Sequence, residues 1–267
     1  MKKRVLRFAA LLLIFVFTLS AASCGAGKEP DDALEAIRAR GELIIATEGN
    51  WAPWTYHDGS NALVGLDVEI GRLIADGLGV KARFEETDWD SILAGVEAGR
   101  FDIACNGVTY TEERAQSYRF TSPYVYSPNV LVVRKDNTEI ASFADLKGKT
   151  TANTASSTYA AIGERYGASV TPVDDLAQTI ELVLAGRIDA TINAKVSILD
   201  YLSVHPDAGI KIVATEGNDA FVIPAKKGDS TAKLVEEIDR ILEDARKDGR
   251  LGEISKKYFG EDLTRAE

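Results

Sequence analysis

Arg114 is the residue of this sequence best suited to hold an anion. It follows Gly107-Val108-Thr109-Tyr110-Thr111-Glu112-Glu113, a run that begins where a β-rich stretch ends. Thr111 is placed to cap a helix with an acidic first turn. A guanidinium offers a planar fork that a carboxylate can meet with two parallel hydrogen bonds, and Thr109 adds hydroxyl and backbone donors. The N-terminus of a helix would supply more donors. The competing reading pairs Arg114 with a neighbouring Glu on a helix surface. A second donor-rich segment is Asn153-Thr154-Ala155-Ser156-Ser157-Thr158, between a strand and a helix. Its backbone N–H groups can reach the same carboxylate from the other side. Small-molecule clefts also need apolar walls, and Trp51 and Trp89, each after a strand, suit that role. Trp54 and Tyr56 read as ordinary packing.

Catalytic equipment is sparse. The chain has two His: His57 in a turn-like Tyr-His-Asp-Gly, and His205 before Pro206. Both read as surface residues. The sequence has no Cys/His spacing for a metal, no phosphate loop and no Gly-x-Ser-x-Gly elbow. Binding without a cofactor is therefore the expectation, and an enzyme is not. A formal net charge of −10 over 267 residues disfavours nucleic acid, which is held by Lys and Arg against phosphate. A chain that is 45% hydrophobic and 27% charged can bury a substantial core.

The elements that must position these residues alternate. Leu43 to Thr47, Lys81 to Glu86 and Phe101 to Cys105 read as strands. Leu66 to Leu78, closed by Gly79, and Trp89 to Ala98 read as helices. That order predicts an α/β protein built from βαβ units with mainly parallel sheets flanked by helices. An internal echo suggests two such lobes. Ala98-Gly99-Arg100-Phe101-Asp102 leads to Asn106, and Ala185-Gly186-Arg187-Ile188-Asp189 leads to Asn193. The competing reading is convergence on a common Gly-capped helix-to-strand turn. Ligands of open parallel sheets bind beyond the carboxyl ends of the strands. Asn106, Gly107 and Thr109 then stand at the mouth of one lobe, Asn193 and Ala194 at the mouth of the other, with a cleft between. The helices Thr231 to Arg246 and Leu251 to Tyr258 return to the first lobe. The chain is expected to cross near Val130 to Arg134 and near Phe221 to Pro224.

The N-terminus has its own pattern. Lys2, Lys3, Arg4 and Arg7 precede an apolar run from Phe8 to Leu19 and small residues to Ser23. This is the layout of a secretory signal peptide, and the run is short of the roughly 20 residues of a spanning helix. The small polar stretch after Cys24 reads as a tether. The expected organisation is residues 1–23 signal peptide, 24–40 anchor and tether, 41–130 plus 222–267 lobe 1, and 131–221 lobe 2. Cys105, in an apolar stretch, reads as a buried inert thiol.

Several segments, taken together and in order, carry a resemblance. They are Gly65-Leu66-Asp67-Val68-Glu69-Ile70, Trp89-Asp90, Gly99-Arg100-Phe101-Asp102, Gly107 to Arg114, Phe120-Thr121-Ser122-Pro123-Tyr124, Asp145-Leu146-Lys147-Gly148-Lys149 and Ile254 to Gly260. From about Gly41 to Gly260 the chain resembles the polar amino acid family of periplasmic binding proteins, the receptors of ATP-driven importers.

The resemblance implies a type II two-lobed fold that closes on its ligand. It implies that Arg114 and Thr109 grip an α-carboxylate, with the Ser156, Ser157 and Thr158 backbone completing that site. The Gly107 carbonyl would take the α-ammonium, Trp51 and Trp89 would sandwich the side chain, and Glu48 would reach the side chain or the amine. The family commonly has Asp where this chain has Ala194, so the ammonium must be met by Glu48, or by Asn193 and carbonyls, or the ligand is less conventional. The run Asn193 to Leu202 is similar to the branch for cystine and related amino acids.

Cys24 after Ala21-Ala22-Ser23 resembles the lipidated Cys of bacterial lipoproteins, with Ala21 where that signal usually has Leu. The implied partners are an amino acid, the permease subunits of an ABC transporter, and the membrane through the N-terminal lipid. The implied state is a monomer outside the cell membrane. Two alternatives share the architecture: an exported dehydratase acting on arogenate or prephenate, with Glu48 as its acid, and a sensory module reporting to a partner.

Overall fold

The computed structural model describes residues 32–266. The expected signal peptide and Cys24 lie outside the described residues. Part of the expected tether lies within them and is ordered as a helix, Ala33–Arg40. Asp32 caps it by accepting from Leu34 N at 3.0 Å, and Leu34 and Ile37 are buried in the core. The sequence reading missed this helix because it is short, and packing rather than propensity holds it.

The strands in chain order are β1 (Glu42–Thr47), β2 (Asn50–Trp51), β3 (Thr55–His57), β4 (Leu63–Val64), β5 (Lys81–Glu86), β6 (Ile103–Ala104), β7 (Tyr118–Phe120), β8 (Val125–Arg134), β9 (Thr150–Asn153), β10 (Ser169–Pro172), β11 (Ala190–Ala194), β12 (Ile210–Phe221) and β13 (Pro224–Lys226). They form two larger sheets, β5-β1-β6-β13-β7 and β10-β9-β11-β8-β12, and a small sheet β2-β3-β4. Each larger sheet is parallel on one side (β5-β1-β6, β10-β9-β11) and antiparallel where the crossing strands join it. β7 belongs to the first sheet and β8 to the second, so the chain passes over between Phe120 and Val125, ahead of the expected Val130. It returns between Phe221 and Pro224, where β12 gives way to β13.

Alternation along β1 divides its side chains between two layers. Leu43 and Ile45 join the main core, which includes Ile70, Ile74, Ile238 and Leu242 from helices Leu66–Leu78 and Ala232–Lys247. Ala46 faces the other way, into a cluster with Trp89, Ile92 and Val96 of helix Trp89–Glu97. A sheet buried on both faces needs this period-two division. The second sheet packs Val130, Val132 and Ala152 against Ile180 and Val183 of helix Leu176–Leu184.

The sequence echo has a physical basis. Gly99 and Gly186 both take positive φ, +74° and +64°, just after helices Trp89–Glu97 and Leu176–Leu184. Asp102 accepts from Ile44 N at 2.7 Å, and Asp189 accepts from Thr150 N at 2.7 Å. Each Asp ties the strand that follows it to the neighbouring parallel strand, once per sheet.

Candidate functional site

β1, β6, β9, β10 and β11 direct their carboxyl ends toward one cleft. Of the residues singled out from sequence, Glu48, Trp51, Trp89, Gly107, Thr109, Arg114, Ser157, Thr158 and Asn193 line it. Asn106, Ser156 and Ala194 do not. Asn106 is fully buried and acts on Glu48: its Oδ1 accepts from Glu48 N at 2.8 Å and its Nδ2 donates to Glu48 Oε2 at 2.6 Å. Ala194 is fully buried, its N–H donating to Asn193 Oδ1 at 2.9 Å. Ser156 is exposed at the rim, and its hydroxyl donates to Asp90.

Arg114 does not start the expected helix. Arg114–Gln116 is a single 3-10 turn, although Thr111 Oγ1 does accept from Arg114 N at 3.0 Å. A helix N-terminus therefore adds nothing here. Nor does Arg114 pair with a neighbouring Glu. Its Nη1 donates to Thr109 O at 2.9 Å, its Nη2 donates to Ser156 O at 3.2 Å, and the guanidinium lies 5.4 Å from the centre of the Trp89 ring. Two carbonyls and an aromatic face fix its direction and leave its charge uncompensated. Burial lowers its pKa, the direction expected of a cation short of solvent. Further N–H groups of the fork remain for an anion.

Glu48 follows β1 and lines the same cleft. Burial pushes its carboxyl up to about 7, against the hydrogen bond from Asn106, and the carboxylates of Asp175, Asp88 and Asp90 push the same way. Gly107 holds φ +54°, and its N–H donates to the buried carboxylate of Asp67. Asp67 also accepts from the Tyr124 hydroxyl at 2.7 Å, and burial lifts its carboxyl to about 7. Trp51 stacks on Trp54, ring centres 5.3 Å apart, and Trp54, fully buried, donates from Nε1 to Ser197 Oγ at 2.9 Å.

The site holds residues that the sequence reading did not assign to it: Asn50, Tyr159, Asp174, Asp175, Leu176 and Thr179, together with Asn153 and Thr154 from the donor-rich segment. Asp175 carried a usable signal. It caps helix Leu176–Leu184, its Oδ1 accepting from Gln178 N at 2.8 Å, and it follows a parallel strand at the end where ligands bind.

The arrangement is a donor-rich anion pocket, an aromatic wall and an acidic wall. Among the described residues it holds no nucleophile paired with a base. The matching family model is described as bacterial extracellular solute-binding proteins, family 3, and spans residues 43–261. A Haemophilus influenzae protein named a probable amino-acid ABC transporter-binding protein is 42% identical, covering 83% of this chain and 86% of the relative. The L-cystine-binding protein TcyA of Bacillus subtilis is 37% identical, covering 96% and 99%. Among solved structures, an ancestral arginine-binding protein bound to arginine superposes with a TM-score of 0.77 at 34% identity, covering 83% of this chain and 99% of that one. The chain belongs to the bacterial extracellular solute-binding proteins, family 3.

Proposed function

We propose that this protein captures a free polar α-amino acid, with cystine and cysteine among the candidates, in the cleft between two lobes and delivers it to an ABC importer. Arg114 carries the reading. It is a half-buried guanidinium in the cleft, held by carbonyls rather than carboxylates, and its uncompensated charge suits an α-carboxylate. Thr109 and the Ser157–Thr158 segment flank it, and Trp51 and Trp89 supply flat walls for a side chain. With Ala194 buried beneath Asn193, the ammonium goes to Glu48 and the Gly107 carbonyl.

The lobes are the two larger sheets with their flanking helices. Ligand bridging both lobes favours the closed form and so shifts the population toward it. The partners are the permease subunits of the importer. The protein acts as a monomer on the outer face of the cell membrane, held by lipid on Cys24. The named relatives are transporter-binding proteins, and this chain is a binding protein rather than an enzyme.

The test is calorimetric titration of the body beginning after Cys24, unfolded and refolded to strip carried-over ligand, against the common amino acids and cystine. Tight binding of one of them, lost in Arg114→Ala, is expected. No binding across the panel would overturn the reading.

A further inference from the structure

Asp67 is the only Asp, Glu, Lys or Arg among the described residues that is fully buried. It stands in the first turn of helix Leu66–Leu78, and its N–H donates to Trp54 O at 3.0 Å. Its two oxygens serve different parts of the protein. One accepts from the Gly107 N–H, and the other accepts from the Tyr124 hydroxyl at 2.7 Å. Gly107 lines the cleft. Tyr124 lies between β7 and β8, in the first crossing between the sheets, and its N–H donates to Phe221 O at 3.0 Å, at the return crossing. One carboxylate therefore joins a residue of the cleft wall to both crossings.

The charge is held by hydrogen bonds alone. The titratable groups that face Asp67 are Tyr124 and Cys105, the latter just after β6. Burial pushes both well up, so both are neutral where Asp67 titrates. Burial also lifts Asp67, against the bonds from Gly107 and Tyr124, which favour its ionised form. An ionised carboxyl accepts from both donors at full strength, whereas a protonated one gives one oxygen to its own proton. Gly107 lies between this buried charge and the cleft, where low dielectric screens the charge little. Gly107 also holds φ +54°, a conformation open to a residue with few steric limits, so fixing its N–H helps to fix where its carbonyl points.

We propose that Asp67 is a positioning residue for recognition of the ligand's α-ammonium. Acting through Gly107, its carboxylate orients the carbonyl that meets the ammonium and adds negative charge behind it. Through Tyr124 it ties that contact to the strands on which the lobes move. The proposal rests on the amino-acid reading above and deepens it.

The experiment is calorimetric titration of the refolded protein with the common L-amino acids and L-cystine, at pH 8 and at pH 5.5. Asp67→Asn keeps an acceptor for Gly107 N and an amide beside Tyr124, and removes only the charge. At pH 8 it is expected to bind at least about tenfold more weakly than the parent protein. At pH 5.5 the parent's own Asp67 is protonated, so the two are expected to agree within about threefold. Glu48 titrates in both proteins and cancels from this ratio. A structural role alone would give the same ratio at both pH values. The urea midpoint of Asp67→Asn at pH 8 is expected not to fall, because the ionised carboxyl is the form that burial penalises. Tyr124→Phe keeps the carboxylate and removes one of its two donors, and is expected to move the fall in affinity to higher pH. An Asp67→Asn ratio that does not change with pH, or a Tyr124→Phe profile that overlays the parent's, would overturn the proposal. Tight, Arg114-dependent binding that Asp67→Asn leaves intact would keep the amino-acid reading and remove this one. Binding of none of the probes would remove both.

Discussion

The carbonyl of Ser156 accepts a hydrogen bond from the Arg114 guanidinium at 3.2 Å, joining a side chain rooted between β6 and β7 to the backbone that follows β9. The residue proposed to meet the ligand is thus also a clasp between the two sheets. Arg114→Lys keeps a positive charge and loses the fork, because an ammonium cannot reach Thr109 O, Ser156 O and a carboxylate with the same geometry. Arg114→Ala is expected to weaken ligand binding by at least about a hundredfold, and Arg114→Lys by at least about tenfold. Calorimetry of both variants checks this. Equal affinity of Arg114→Lys and the parent protein would show that the guanidinium acts only as a point charge.

Glu48 predicts two pH dependences of opposite sense. Its carboxyl sits at about 7 in the fold against an ordinary value of 4.5. Between those values the folded, ligand-free protein binds more protons than the unfolded chain. This group's contribution to stability is therefore greatest below about 4.5 and declines as pH rises to about 7. The decline is at most about 3 kcal/mol. Asp67 slopes the same way, so Glu48→Gln isolates one share: it is expected to flatten, not abolish, the fall in urea midpoint between pH 5 and pH 8. Binding of an ammonium needs the ionised carboxylate, so ligand affinity is expected to fall as pH drops below about 7, by up to about tenfold per unit. An affinity flat between pH 8 and pH 5.5 would remove Glu48 from ligand recognition.

Much of the frame is legible in local patterns. Helix Leu66–Leu78 and strand β5 begin and end where periodicity and Gly79 place them, because each has a buried stripe and a clear stop. The twin Gly-Arg-x-Asp turns announce a repeated unit, since each needs a left-handed Gly and an Asp tied to the neighbouring strand. Cleft-lining residues near strand ends, such as Glu48, Thr109 and Asn193, follow from the same logic. Asn106 and Ala194 share that location, yet their side chains turn into the protein, a matter of side-chain direction that sequence does not carry. Asp174, Asp175 and Tyr159 reach the cleft only through tertiary placement of the second sheet's loops and helix Thr158–Arg165. Their immediate sequence reads as turn and helix start, and only Asp175, just after a parallel strand, carries the strand-end signal. The Thr111 capping pattern failed for a related reason: Ala115 N does donate to Thr111 O at 3.0 Å, but the chain must turn at Ser117 to enter β7, so a single turn is all that fits.

The bond between the Ser156 hydroxyl and Asp90 spans the cleft rim between helix Trp89–Glu97 and the segment after β9. Both residues are exposed, so the bond competes with water and contributes modestly. Its removal is expected to act on opening rather than on contact with the ligand. Ser156→Ala should raise the ligand dissociation rate about two- to tenfold with little change in association rate. Stopped-flow fluorescence can read both, because Trp51 and Trp89 line the cleft. A change confined to association would place Ser156 in encounter instead of closure.

Two glycines with similar backbone geometry separate conformational strain from contact. Gly107 has φ +54°, and a Cβ there would stand 2.5 Å from Trp51 Cζ3 and 2.9 Å from its Cη2. Gly99 has φ +74°, and the nearest atom to a Cβ there is the end of the Lys226 side chain at 3.9 Å. Alanine at either position carries the left-handed penalty of about 1–2 kcal/mol. Only at Gly107 must an aromatic wall of the cleft also move, because the tryptophan behind it is itself packed on Trp54. Gly107→Ala is therefore expected to lower ligand affinity by at least about tenfold and to cost about 1–3 kcal/mol more stability than Gly99→Ala, which should bind like the parent protein. Urea denaturation and calorimetry of the two variants side by side make the comparison. If both lose stability equally and neither loses affinity, Trp51 yields freely to the added methyl and is not a fixed wall of the site.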